Sequence, residues 1–385
     1  MHIFTSVTAN YIPKARVLAA SCKKHNPDSV FILILSDALP DWVRLAEEPF
    51  DHIVQAKDLE IPDFQAWAFQ HSVVELCTAV KGRACQYIHE HFGAEKIMYL
   101  DPDIAVFGSL SPLAELLDTH DILLTPHQLE PEEEERAIID NEICSLKHGV
   151  FNLGFLALAM RGDGLRFMDW WAARLARFCH DDIPSGLFTD QRWVDLAPCF
   201  FPKLHVLRAP NCNVATWNIS RRSFSGSMEQ GILVDGQPLI FYHFSGYDSG
   251  AYAIMLDVYG KDRPQLLELK AWYAEALKKA GQGEHGATPS IYHHFDNGEA
   301  ITLGHRLAYR SRADLRAHFP APFTTTPVDV SYYHWYAAHR SQENLPEGST
   351  GTEAALRQEL FDITHSRTWK VACFLKKLYH LGRRA

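Results

Sequence analysis

Ile97-Met98-Tyr99-Leu100-Asp101-Pro102-Asp103-Ile104 is the stretch on which the reading of this chain turns. Four apolar residues of strand character end in two carboxylates spaced two apart. In an open α/β sheet, ligands bind outside the carboxyl ends of the strands. Two carboxylates placed there without partners would carry a heavy desolvation cost. A hard divalent cation relieves that cost and also bridges phosphate oxygens. Asp-Pro-Asp is good turn chemistry as well, so a plain turn stands beside the metal reading.

The segments on either side alternate in character. His2–Val7 is a short β-rich run, and 13–25 has helical spacing through Ala15, Leu18, Ala19 and Cys22. Val30–Leu35 is continuously apolar, as a buried parallel strand would be. Val73–Phe92 lines Val73, Leu76, Cys77, Val80, Ala84, Tyr87 and Ile88 along one stripe, with Gly93 at its C-terminus. Such alternation predicts a parallel sheet covered by helices. Further on, 149–160, 204–209 and 239–244 read as strands, and 165–179 and 264–280 as helices. The last sheet-like run ends at Phe244. Residues 1–250 are therefore expected to form one α/β domain, 251–345 a smaller, mainly helical extension, and 346–385 a linker and tail.

Composition narrows the function. Asp and Glu outnumber Lys and Arg by 47 to 37 over 385 residues, and this net charge of −10 argues against general nucleic-acid binding. No run reaches the ~18 apolar residues of a membrane span. Met1-His2-Ile3-Phe4-Thr5 lacks the basic start and apolar core of a signal peptide. The eight cysteines form no CxxC pair and read as reduced thiols, so a cytoplasmic protein is expected.

Several polar groups interrupt apolar surroundings. If Val73–Phe92 runs back antiparallel to the 97–100 strand, its N-terminal half carries Thr78, Lys81 and Arg83 toward Asp101, where a diphosphate would meet positive charge. Phe241-Tyr242-His243-Phe244-Ser245-Gly246 delivers a histidine at a strand end. With Asp101 and Asp103 it would complete a set suited to manganese. Asn152 and Gly154 break an otherwise apolar strand. Asp190 follows a Pro184-Ser185-Gly186 turn, where it could orient sugar hydroxyls or cap a helix. Asn211-Cys212-Asn213-Val214-Ala215-Thr216-Trp217-Asn218 is rich in amides, common equipment both for reading sugars and for plain loops.

Taken in order, these pieces resemble the metal-dependent GT-A glycosyltransferases, especially those of family 8 and bacterial surface-polysaccharide transferases of that group. The pieces are Phe4-Thr5-Ser6-Val7-Thr8-Ala9-Asn10-Tyr11, the basic helix, Asp101-Pro102-Asp103, Asn152-Leu153-Gly154, Asp190-Gln191 and His243-Phe244-Ser245-Gly246. The resemblance implies a Rossmann-like GT-A domain with Mn2+ or Mg2+ on Asp101, Asp103 and His243. It implies a nucleotide-sugar donor, UDP-sugar favoured, contacted by Thr5, Ala9, Asn10, Tyr11, Lys81, Asn152, Gly154, Asn218 and Gly246. Asp190 and Gln191 would position the donor sugar or stabilise its oxocarbenium character. The acceptor would be a glycan or a lipid-linked glycan, with retention at the anomeric carbon. Were the enzyme inverting, Asp190 would be the leading base. The chain departs from the resembled pattern in three places, one being Pro102 in the middle of the DxD. Its first loop has no acid after Ala9, and Tyr247-Asp248-Ser249 stands where Lys-Pro-Trp is usual.

Two other readings remain. An apolar strand followed by DxD is also the signature of haloacid-dehalogenase-like phosphohydrolases, with Asp101 as nucleophile. About ninety-five residues precede the motif here, whereas that motif normally opens its domain. A non-catalytic sugar-binding relative is the other. Finally, Arg367, Lys370, Lys376, Lys377, Arg383 and Arg384 alternate with Trp369, Val371, Phe374, Leu375, Leu378 and Leu381. Residues 365–385 could lie on the anionic inner face of the membrane, or dock as a helix on their own domain.

Overall fold

A computed structural model describes residues 1–340. Among them a seven-stranded sheet runs in the order β10-β6-β7-β4-β1-β2-β3. These strands are β1 His2–Val7, β2 Val30–Leu35, β3 His52–Gln55, β4 Lys96–Leu100, β6 Ile122–Pro126, β7 Phe151–Ala159 and β10 Leu204–Val206. All pairings are parallel except those of β7, which runs antiparallel to both β4 and β6. Outside this sheet, β5 Ile104–Val106 pairs antiparallel with β14 Phe241–His243. A hairpin and a three-stranded antiparallel sheet follow. One joins β8 Asp181–Asp182 to β9 Leu187–Phe188. The other links β11 Phe224–Ser227, β12 Gly231–Val234 and β13 Gln237–Pro238.

Side-chain alternation builds the two faces. Ile3 and Val7 of β1, with Met98 and Leu100 of β4, pack against Ile12, Ala15, Leu18 and Cys22 of the Ile12–His25 helix. Phe4 and Tyr99 point the other way and meet edge-on at 5.0 Å. On that side lies the Val73–Phe92 helix, crossed by Gly162–Phe178. The crossing is close because Gly82 has no side chain: a Cβ there would lie 2.5 Å from the Ala172 Cα. Gly93, with φ +62°, ends the helix in the left-handed conformation that glycine adopts at no steric cost.

The contacts divide the chain at Ile291 rather than near residue 250. Among the described residues, one unit comprises Met1–Pro62 and Val73–Ile291, and the other Asp63–Ser72 with those from Tyr292 onward. The sequence boundary fails because the last sheet-like strand is not the end of the core. Tyr252, Leu256, Leu266, Leu269, Tyr273 and Leu277, all beyond 250, bury themselves against Val214, Tyr242 and Phe244. The second unit is helical among its described residues, as expected of the C-terminal part. Phe69 packs there against Phe295, Tyr309 and Tyr332. The buried Arg306 guanidinium donates to the carbonyls of Phe69, His71 and Tyr292. The expected basic tail, 365–385, lies outside the described residues. Among those described, no helix is long and apolar enough to cross a membrane.

The Gly82–Ala172 crossing yields a stability prediction. Gly82→Val should lower unfolding free energy by about 1–3 kcal/mol through overpacking. Urea denaturation should show a lower midpoint with an unchanged slope. An unchanged midpoint would mean that the helices part without cost.

Candidate active site

The strand pairing assembles the site. Asp101 directly follows β4, and its N–H donates to the carbonyl of Gly154 on β7 at 2.9 Å. The β5–β14 register sets His243 opposite Ile104, and the Phe244 N–H donates to the Asp103 carbonyl at 2.8 Å. His243 Nε2 therefore stands 3.0 Å from Asp103 Oδ1 and 3.7 Å from Asp101 Oδ2. One ligand atom from each of the three residues lies within 4.8 Å of the others. Two carboxylate oxygens and an imidazole nitrogen make a donor set that fits manganese or magnesium. The groups also hold one another. Burial works against charge on both, but Asp103 raises the imidazole above its usual value and His243 holds the Asp103 carboxyl below its own.

A neutral amide network fixes the histidine. His243 Nδ1 lies 3.2 Å from Asn213 Oδ1, so a proton on Nδ1 leaves Nε2 facing the carboxylates. The Asn213 amide donates to Thr125 Oγ1 at 2.8 Å and to Asn152 Oδ1 at 2.9 Å. Asn152 in turn donates to His127 Nε2 at 3.2 Å. Burial pushes His127 down to about 4, which keeps that ring neutral near pH 7. Gly154 clears the space: a Cβ there would sit 2.5 Å from His243 Cε1 and 2.7 Å from Asn152 Oδ1.

Lys81 supplies the positive charge on the Val73–Phe92 side. Its side chain is 4% exposed, 2.8 Å from Asp190 and 3.5 Å from Asp101, with the ammonium 4.0 Å above the Tyr99 ring. Burial would lower its pKa, but Asp190 and then Asp101 outweigh this and hold the ammonium above the usual lysine value. Tyr99 donates its hydroxyl to Asp101 Oδ1 at 2.5 Å, and Thr189 donates to Asp190. Asp190 thus faces Lys81 rather than capping the following turn, where no side-chain cap is made.

The other expected residues are spread more widely. Thr78 bonds its own helix and Cys179, while Arg83 reaches Leu59, Glu60 and Glu90, so neither joins Lys81. Gln191 spends its amide on the Leu153 N–H and the His148 carbonyl, and so braces β7. Asn218 accepts from Ala215 and Arg222 and donates to the Asn213 carbonyl, holding the loop that aims Asn213. Thr5 is wholly buried in β1 and its hydroxyl has no partner among the described residues. The Asn10 side chain accepts from Thr8 at 2.7 Å, and the Ala9 N–H donates to Asp37. Gly246 turns the chain after His243 with φ +73°. Tyr11 lies beneath Lys14.

Sequence reasoning missed Asp37, Lys14, His127 and the inward turn of Asn213. The last rests on a left-handed backbone, φ 48°, which asparagine tolerates better than most residues. Its presence among the amides at 211, 213 and 218 gave no sign of which one would point inward.

Residues 2–161 match the model of glycosyl transferase family 8. That portion carries β1 through β7 and the DxD turn, so the family 8 resemblance holds over it. The chain is also similar to two uncharacterized proteins of Bacillus subtilis (strain 168). It is 28% identical to YfnF over 48% of this chain and 60% of that protein, and 25% identical to YfnD over 64% and 78%. The alignment therefore spans less than two thirds of YfnF. Among solved structures, it is similar to the galactosyltransferase LgtC in complex with donor and acceptor sugar analogs. That match has 17% identity and a TM-score of 0.43, covering 75% of this chain and 98% of the other. The glycosyltransferase GlyE of Streptococcus pneumoniae TIGR4 is 16% identical with a TM-score of 0.40, over 72% and 64%.

Two outcomes follow for the cation site. Asn213→Ala should weaken Mn2+ binding roughly 10–100-fold, as loss of a ligand-orienting partner does. Because a cation must displace the His243 proton, affinity should fall as pH drops through the raised histidine value, by up to about tenfold per unit. Without metal the sign reverses: the His243–Asp103 pair stabilises the fold most below ~6.5 and loses that contribution as pH rises through the raised value. Titration calorimetry and thermal melts between about pH 5.5 and 8.5 would check both.

Proposed function

We propose that this protein transfers a sugar from a nucleotide-diphosphate donor, UDP-sugar favoured, to a glycan or lipid-linked acceptor, with retention and with Mn2+ or Mg2+. The observation that carries this reading is the Asp101, Asp103 and His243 set at the strand ends of a family 8-type region. A divalent cation held there supplies charge neutralisation for a departing diphosphate. The chain's own residues do the rest. Asn213 and Asn152 keep His243 Nε2 turned to the carboxylates. Lys81 keeps Asp101 and Asp190 together despite their like charges. Asp190 carries a negative charge suited to a sugar carbon that becomes positive as its leaving group departs. Gln191 supports β7 behind it. The phosphohydrolase reading is less well supported, since Tyr99 and Lys81 engage Oδ1 of Asp101 while Oδ2 faces His243, so both oxygens of the would-be nucleophile are drawn into the cluster.

The basic stretch 365–385 is proposed to bring the chain to an anionic membrane surface, where lipid-linked acceptors reside. Its six Lys or Arg residues among apolar ones support this.

A panel of nucleotide-sugars with Mn2+ would test the main reading. One donor class should release its nucleoside diphosphate, and Asp103→Ala should cut that release roughly a hundredfold or more while circular dichroism stays unchanged. Release from no donor, or full activity in the variant, would refute it.

A further inference from the structure

Lys14 is buried where a lysine is hard to explain. It lies in the first turn of the Ile12–His25 helix with its side chain 2% exposed. Its Nζ is 4.0 Å above the Tyr11 ring and pairs with Asp248, which is 43% exposed on the loop that follows His243. Burial, and then the charges of Asp248 and Asp103, push the Tyr11 phenol above its usual value, and Lys14 in turn helps hold the Asp103 carboxyl down.

A second group points to the same place. Tyr273, on the Pro264–Lys279 helix, is fully buried and stacks on Phe244 at 3.9 Å. Its hydroxyl has no hydrogen-bond partner among the described residues. Burial, and then the charges of Asp103 and Asp248, push this phenol well above its usual value. A buried phenol without a partner forfeits a hydrogen bond, a cost that a ligand oxygen would remove.

Charge narrows the choice of ligand. A divalent cation on Asp101, Asp103 and His243 would repel a buried ammonium nearby unless an anion stood between them. That anion must ligate the cation on one side and accept from Lys14 and Tyr273 on the other. A diphosphate has the oxygens for both. Asp248 provides the same kind of negative charge from a half-exposed position, which it can leave at little desolvation cost.

We propose that Lys14, backed by Tyr273, holds the diphosphate of the donor against the cation, and that Asp248 occupies this position until the donor arrives. What the diphosphate belongs to rests on the glycosyl-transfer reading; the clamp itself does not.

Calorimetry with Mn2+-pyrophosphate and Mn2+-UDP on the full chain tests this. Lys14→Gln should weaken both by roughly tenfold or more, the scale of a lost charge-assisted hydrogen bond, while binding of Mn2+ alone is kept. Tyr273→Phe should weaken both by a few-fold. Asp248→Asn, at an exposed position that folding tolerates, should strengthen both several-fold. Unchanged anion affinity in Lys14→Gln overturns the proposal. So does Asp248→Asn if it weakens binding, because the pair would then be structural. Pyrophosphate binding that follows this pattern without turnover of any nucleotide-sugar would sink the transferase reading and leave the clamp standing. Binding of neither anion by the wild type would overturn the clamp.

Discussion

His243 meets Asp103 because a short antiparallel pairing, β5 with β14, lies beside a sheet that is otherwise mostly parallel. The parallel part brings β4 to its end at Asp101. The antiparallel pair then returns a strand 140 residues later, with its histidine level with the second carboxylate. The rest of the site answers the charge this concentrates. Asp101, Asp103, Asp190 and Asp248 crowd one end of the fold, and two unit charges 4 Å apart repel by roughly 4 kcal/mol at an effective dielectric near 20. Each carboxylate has a cationic neighbour: Lys81 for Asp101 and Asp190, His243 for Asp103, Lys14 for Asp248.

Behind these charges the supports are neutral. Asn152, Asn213, Thr125 and His127 form a chain of amide, hydroxyl and uncharged imidazole. A charged residue in that layer would compete with a bound cation for His243 or attract a proton to it. Neutral dipoles orient the ring without doing either. This explains why an apolar strand such as β7 tolerates Asn152, whose amide satisfies three neighbours, and requires Gly154, whose missing side chain is the space His243 fills.

How much of this is legible in the sequence depends on the range of the forces involved. Val30–Leu35 is legible because a strand buried on both faces must be apolar throughout. Asp101 and Asp103 are legible because polar groups ending such a strand need a reason. His243 emerges from 21 histidines only through its apolar strand and Gly246. Lys14 is not legible, since at helical spacing it looks like a solvated surface residue and its partner is 234 residues away. Tyr273 is hidden for the same reason: a tyrosine in an amphipathic helix reads as core. The boundary near 250 fails because strand periodicity reveals where a sheet ends, not where its hydrophobic cover ends.

In the first loop a missing acid is made good locally. Ala9-Asn10-Tyr11 carries no acid, but a buried carboxylate stands beside it on β2's continuation, Asp37. Its oxygens accept from the backbone N–H groups of Ala9, Ala38 and Ile291. Burial pushes this carboxyl above its usual range and those three amides pull it back. Committed in this way, Asp37 shapes the loop rather than facing outward from it. It also ties the loop to the last residue of the first unit, 254 positions further on. The Thr8 hydroxyl engages the Asn10 amide oxygen, so the loop presents neutral groups while its charge is spent internally. Of the three amides that hold this buried carboxylate, one, that of Ala9, belongs to the loop, so the loop start cannot move off without withdrawing a donor from it. Asp37 thereby anchors the backbone two residues before Tyr11, the ring that underlies Lys14.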